Sequence, residues 1–160
     1  MTELYLLRHA DAGDPETWKG DDADRPLSGK GEKQAERLGA FLAGTAFRAD
    51  VILTSPKVRA LKTAEIVAGH LGSSAKVDDR LAGGLDADAV ESILRDAGDP
   101  EQVVLTGHDP DFTELLQSLT ASSVEMKKGA IARIDIDRPL ADGKGRLMWL
   151  VPPDLLKPAR

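Results

Sequence analysis

Val51-Ile52-Leu53-Thr54-Ser55-Pro56-Lys57-Val58-Arg59-Ala60-Leu61-Lys62-Thr63-Ala64 is the stretch on which the reading of this chain turns. Val51–Thr54 is a short, β-branched apolar run of the kind that forms a buried strand. Ser55-Pro56 then reads as a helix N-cap followed by Pro at the first helical position, where the missing N–H is not needed. Apolar residues recur at helical spacing through Leu61, Ala64, Ile66 and Val67, and Leu71-Gly72 is a stop signal. A strand running straight into a capped helix is one half of a βαβ unit.

Working outward, the same unit recurs. Leu4–Arg8 is an apolar run ending in a charge. After a loop, Ser28 fits an N-cap, and Gly31–Ala43 has helical spacing through Ala35, Leu38 and Leu42. Downstream, Lys76–Asp78 reads as a short strand and Asp88–Ala97 as a helix with Ala89, Val90, Ile93 and Leu94 on one face. Val103–Thr106 is a further buried strand, followed by a helix over Pro110–Leu119. Ala130–Ile136 and Arg146–Val151 read as two strands joined through the turn-rich Asp142-Gly143-Lys144-Gly145, a hairpin. The alternation predicts an α/β fold: a three-layer sandwich with a mostly parallel central sheet, helices on both faces and a C-terminal antiparallel hairpin. At 160 residues the chain suits a single domain spanning 1–160.

The composition narrows the function. The net charge of −6 argues against nucleic acid or anionic membranes as partners. No run approaches the ~18 apolar residues of a membrane helix, and Met1-Thr2-Glu3 lacks the basic start and apolar stretch of a signal peptide. With no cysteine, thiolate chemistry and disulfides are excluded. A cytoplasmic location is the simplest expectation. The carboxylates form no metal-ligand motif, so neither metal nor other cofactor is expected.

Ligands of open α/β sheets bind beyond the carboxyl ends of the strands. Three basic features fall there: Arg8-His9 ends the first strand, Arg59 lies one turn into the helix after the second, and Gly107-His108 ends the strand at Val103–Thr106. Each alone has an ordinary structural reading; together they suit a phosphoryl group, which carries about −1.5 to −2 charge. Arginine offers planar, paired donors to phosphate oxygens. A neutral imidazole is a competent nucleophile near neutral pH, and a second, protonated one would donate to an equatorial oxygen.

The same residues resemble a family. Leu7-Arg8-His9-Ala10 is similar to the Arg-His-Gly signature of the histidine phosphatase (phosphoglycerate-mutase-like) superfamily. Ser55–Ala64 resembles its Ser-Pro-x-x-Arg-Ala-x-Gln-Thr-Ala signature, and Gly107-His108 its later Gly-His element. Within the superfamily the chain looks most like the SixA-type phosphohistidine phosphatases, through Arg8–Ala12, Arg25-Pro26-Leu27-Ser28 with Gly31, Gly107–Pro110 and Lys128–Ala132. The resemblance implies His9 as phospho-acceptor, with Arg8, Arg59 and His108 completing a phosphate pocket. It also implies a phosphorylated protein, a phosphohistidine domain, as partner and phosphate ion as product.

The departures are informative. Ala10 stands for the usual Gly, as in SixA-like relatives, and Lys62 for the frequent Gln. Mutases and many phosphomonoesterases of the superfamily place a Glu proton donor after the third strand; Leu81-Ala82-Gly83-Gly84-Leu85 carries no carboxylate until Asp86. An alkoxide leaving group needs a positioned acid, worth roughly a hundred- to ten-thousand-fold. An imidazole leaving group does not, because histidine takes up a proton near pH ~6.5. Asp11 is a possible substitute acid and Asp109 its rival, although Asp109-Pro110 also fits a helix cap. A small-molecule phosphomonoesterase using Asp11 or Asp86, and a non-catalytic phosphoprotein-binding module, remain the alternatives. His70 near a helix C-terminus reads as structural or surface, and Trp149 as core. Trp18, in the acidic loop Asp11–Asp24 with its five Asp, packs either beside the pocket or over the core.

Overall fold

The structure is a computed structural model describing residues 1–159. In chain order the elements are β1 (Thr2–Arg8), α1 (Gly29–Ala43), β2 (Val51–Thr54), α2 (Val58–His70), β3 (Ala75–Val77), α3 (Ala87–Asp96), β4 (Gln102–Gly107), α4 (Asp111–Thr120), β5 (Ile131–Ile136) and β6 (Arg146–Val151). The six strands form one sheet in the order β3-β2-β4-β1-β5-β6. β3, β2, β4 and β1 run parallel; β5 pairs antiparallel with β1, and β6 with β5. The hairpin therefore extends the sheet beyond β1, with β6 as the edge strand. The mixed α/β architecture is the one read from the alternation of elements.

Alternation along the strands divides the core. Leu4 and Leu6 of β1, with Val103 and Leu105 of β4, face α3 and α4 and pack on Val90, Ile93, Leu94, Phe112, Leu115, Leu116 and Leu119. Tyr5 and Leu7, with Ile52 and Val104, face the other way, onto Leu38 and Leu42 of α1 and Ala64, Val67 and Ala68 of α2. Strands buried on both faces read as continuous apolar runs, which is why LYLL and VVL lacked alternation.

Two helix starts differ from the sequence reading. α2 begins at Val58, so Ser55-Pro56 lies ahead of the helix; Ser55 Oγ accepts the Lys57 N–H at 3.2 Å in a turn of its own. α4 begins at Asp111, although Asp109 still caps it, accepting the Thr113 N–H at 3.0 Å and the Thr113 hydroxyl at 2.7 Å. Asp109 thus caps from one position ahead of the first turn, whereas Ser55 leaves α2 without a side-chain cap. Ser28 caps α1 as read, its hydroxyl accepting the Gly31 N–H at 3.0 Å. Trp149 is half-buried rather than core, because β6 is an edge strand; its ring lies 5.8 Å from that of Tyr5. No helix among the described residues is long and apolar enough to cross a membrane.

Candidate active site

The carboxyl ends of β1, β2 and β4 open into a cleft of about 450 Å³ bordered by Arg8, His9, Lys57, Arg59, His108 and Lys128. The parallel register brings them there: Arg8 stands beside Gly107, and Thr54 beside Thr106. The four residues singled out in the sequence thus meet at one place, with the imidazoles of His9 and His108 5.2 Å apart.

His9 is held by its backbone. Its N–H donates to Gly107 O at 3.0 Å and its carbonyl accepts the Gly129 N–H at 2.9 Å. The loop that follows is pinned to two helices: Ala10 N–H donates to Thr63 Oγ1 at 3.1 Å, and Asp11 N–H to Gln34 Oε1 at 2.9 Å. The N-terminus of α1 lies so close that a Cβ on Gly31 would sit 1.9 Å from Asp11 O, so this position requires glycine for close approach.

That clamp sets the chemistry of the ring. His9 Nδ1 lies 2.7 Å from Ala10 O. A carbonyl only accepts, so Nδ1 carries the proton and, in the neutral ring, Nε2 keeps its lone pair. Burial pushes the His9 pKa down to about 4, opposed by the Ala10 carbonyl and assisted by the charges of Arg59, Arg8 and Lys128. The ring is therefore neutral at physiological pH.

His108 is oriented by the serine that the sequence reading took for a cap. Ser55 Oγ lies 2.8 Å from His108 Nε2. The same oxygen accepts the Lys57 N–H, so Ser55 orients the ring, while His108 Nδ1 has no partner among the described residues. Burial, then the neighbouring His9, Arg59 and Lys57, push the His108 pKa down to about 3. These surroundings disfavour the protonated form of the second imidazole.

Among the described residues, three buried side-chain nitrogens have no hydrogen-bond partner: Arg8 Nε, Arg59 Nε and His108 Nδ1. All belong to residues on the cleft wall. Buried donors left unpaired are costly, and oxygen atoms of a phosphate would satisfy them. The far ends of both guanidinium groups are already engaged. Arg8 Nη1 donates to Met126 O at 2.6 Å and lies 3.6 Å from Asp109 Oδ2. Arg59 gives Nη1 to Asp22 O at 2.8 Å and Nη2 to Asp22 Oδ2 at 3.0 Å.

The carboxylates considered as acids are placed as follows. Asp11 accepts the Ser28 hydroxyl at 2.6 Å, and this bond holds its carboxyl below the usual range; it is not on the cleft wall. Asp86 caps α3 through the Ala89 N–H at 2.8 Å and also lies off the wall. Asp109 and Asp111 border the cleft, the latter accepting the Leu85 N–H at 3.2 Å. The segment after β3 contributes Ala82, Gly83 and Gly84 to the wall and no carboxylate.

Lys62 is exposed, His70 pairs with Glu36 on the surface, and Trp18 is exposed with its indole N–H on Asp21 O at 2.9 Å, away from the cleft. Sequence reasoning missed Ser55 as a partner of His108, Lys57 as a cationic wall and Asp22 as the partner of Arg59. Ser55 gave a signal, standing four residues before Arg59, but its capping preference masked it.

Comparison with known proteins gives the family and the fold. An uncharacterized protein of Picosynechococcus sp. (strain ATCC 27264 / PCC 7002 / PR-6) is 34% identical over 98% of this chain and 99% of its own length. The structure of the protein histidine phosphatase SixA complexed with tungstate superposes with a TM-score of 0.83 at 26% identity, covering 98% of this chain and 100% of that one. The putative phosphohistidine phosphatase SixA from Agrobacterium tumefaciens shares the fold with a TM-score of 0.74 at 23% identity, over 94% and 97% of the two chains. Residues 4–84, which hold both the Arg8-His9 strand end and the Arg59 helix, match the Histidine phosphatase superfamily (branch 1), and to that superfamily of phosphate-removing enzymes this chain belongs.

Proposed function

We propose that this protein removes phosphate from phosphohistidine on a protein, through a covalent phosphohistidine on His9. The observation that carries the reading is the bare wall after β3: Ala82-Gly83-Gly84 borders the cleft where an acid for an alkoxide leaving group would stand. His9 Nε2 attacks phosphorus, the P–N bond to the substrate imidazole breaks, and that imidazole takes up a proton from solvent. Water then attacks phosphorus and releases inorganic phosphate, returning the electron pair to His9. Arg8, Arg59 and His108 supply donors to the equatorial oxygens, which is where such transfers gain most of their rate. The chain needs no metal for these steps. A phosphorelay protein as substrate places the reaction in the cytoplasm, and the 1–160 chain acts as one domain.

Mass-spectrometric detection of phosphate on His9 after exposure to a phosphohistidine protein, with His9→Ala as control, tests the intermediate. Hydrolysis of the same protein is then set against a sugar phosphate. Much faster turnover of the sugar ester would overturn the substrate assignment while leaving the nucleophile in place.

One observation favours a second reading. Asp109 and Asp111 do reach the wall, so a small-molecule phosphomonoesterase with Asp109 as acid is the alternative. Under it, Asp109→Asn abolishes ester hydrolysis but still forms the phospho-enzyme from a labile donor. Failure to phosphorylate His9 with any labile donor would instead favour a phosphoprotein-binding module.

A further inference from the structure

The acidic loop is tied to the phosphate pocket through one residue. Asp22 opens the 3-10 turn Asp22–Asp24 and accepts both terminal nitrogens of Arg59, one with its carbonyl at 2.8 Å and one with its carboxylate at 3.0 Å. Its other carboxylate oxygen accepts Arg25 Nε at 3.2 Å. Arg25 in turn donates Nη1 to Ala12 O at 2.7 Å, in the loop that leaves His9. A chain of bonds thus runs from the His9 loop through Arg25 and Asp22 to Arg59. Both arginines are buried, at 7% and 6% exposure, whereas the Asp22 side chain is 55% exposed.

The consequence lies in which edge of the guanidinium is left over. With both terminal nitrogens on Asp22, the nitrogen of Arg59 without a partner is Nε. We propose that Asp22 is the positioning residue of Arg59: it grips the outer edge of the guanidinium so that the Nε edge is presented to phosphate. The proposal rests on the reading of Arg59 as a phosphate ligand. Asp22 does not touch the reacting atoms; it acts through Arg59. A long side chain held at both terminal nitrogens has lost its rotamer freedom before the ligand arrives, so less ordering is left to be done on binding. The carboxylate also offsets the cost of burying Arg59: burial disfavours the charged guanidinium and Asp22 favours it. The opposite role, a carboxylate that competes with phosphate for Arg59, predicts the opposite sign on removal.

The test uses the full-length protein with a phosphohistidine protein as substrate and inorganic phosphate as equilibrium probe. Arg59→Ala is the reference, and Asp22→Ala, Asp22→Asn and the double variant Asp22→Ala/Arg59→Ala are compared with it. Asp22→Ala is expected to lower kcat/KM and weaken inorganic phosphate binding by about tenfold, the order for a charged hydrogen bond. His9 still becomes phosphorylated; the thermal midpoint falls, because Arg59 Nη2 and Arg25 Nε lose their acceptor, so all rates and affinities are read well below it. Asp22→Asn, which keeps an acceptor oxygen without the charge, falls between. In the double variant the loss equals that of Arg59→Ala alone, because the effect passes through that residue. Asp24→Ala, two residues on, is exposed and forms no ion pair among the described residues; it removes the same charge and leaves kcat/KM unchanged. Wild-type or faster turnover by Asp22→Ala, or equal losses in Asp22→Ala and Asp24→Ala, would overturn the positioning role. If Arg59→Ala is itself fully active, the reading of Arg59 fails instead.

Discussion

Acidifying the protein from pH 7 to pH 5 probes the two buried imidazoles directly. In the folded chain His9 titrates at about 4 and His108 at about 3, both pushed down chiefly by burial. In the unfolded chain each titrates near ~6.5. Between those values the unfolded state holds more protons, so stability is complete above pH ~6.5 and falls as the pH drops. For His9 the interval from ~6.5 to 5 is about 1.5 units at ~1.4 kcal/mol each, a loss of ~2 kcal/mol. His108 adds a loss of the same sign. Set against a total stability of ~5–15 kcal/mol, the effect is large. Carboxylates do not obscure it: Asp11, Asp78 and Glu91 are held below their usual range, so what they contribute is present above the ordinary carboxylate range near ~4 and is lost as the pH falls from there through their lower folded values. Urea denaturation followed by circular dichroism at pH 7, 6 and 5 gives the slope, and His9→Gln should remove the His9 share. The same burial keeps Nε2 unprotonated, so the acid limb of phospho-enzyme formation should lie near pH 4 rather than near 6.5. Stability that is flat from pH 7 to 5, or a His9 resonance titrating near pH ~6.5, would refute the argument.

Three further outcomes follow from single contacts. Ser55→Ala removes the hydroxyl that orients His108 and should lower kcat/KM by about three- to tenfold, and, by stranding buried His108 Nε2 and the Lys57 N–H, cost ~1–3 kcal/mol in urea. Gly31→Ala forces a Cβ to within 1.9 Å of Asp11 O, and denaturation should show a loss of ~2 kcal/mol or more together with reduced activity. Gly29→Ala, with nothing within 4 Å, is its control and should be neutral or slightly stabilising. Thr63→Val strands the buried Ala10 N–H, at a cost of ~1–3 kcal/mol measurable in urea, because Thr63 Oγ1 is its acceptor.

Much of this was legible in the order of residues. Apolar runs such as Leu4–Leu7 and Val103–Leu105 can only be strands covered on both faces, and the helices between them supply the covers. Parallel strands also end on the same side, so Arg8-His9 and Gly107-His108 had to emerge together, with Arg59 a short helix turn from the end of β2. The sequence by itself therefore determined the layers, the edge where the site forms and the four residues that border it.

The tertiary structure decided what those residues can do. Ser55 and Asp109 are locally good caps, and only the place of β4 between β2 and β1 brings Ser55 to His108 and Asp109 to Arg8. The protonation of the imidazoles depends on desolvation and on cations brought from distant segments, neither of which is written in any window of sequence. Asp11 and Asp22 belong to the same acidic loop, yet one is bound to Ser28 and the other to Arg59. Composition treats them alike. The direction in which a side chain points is set by long-range packing, and that alone separates a carboxylate bound to a helix-capping serine from one bound to a buried arginine.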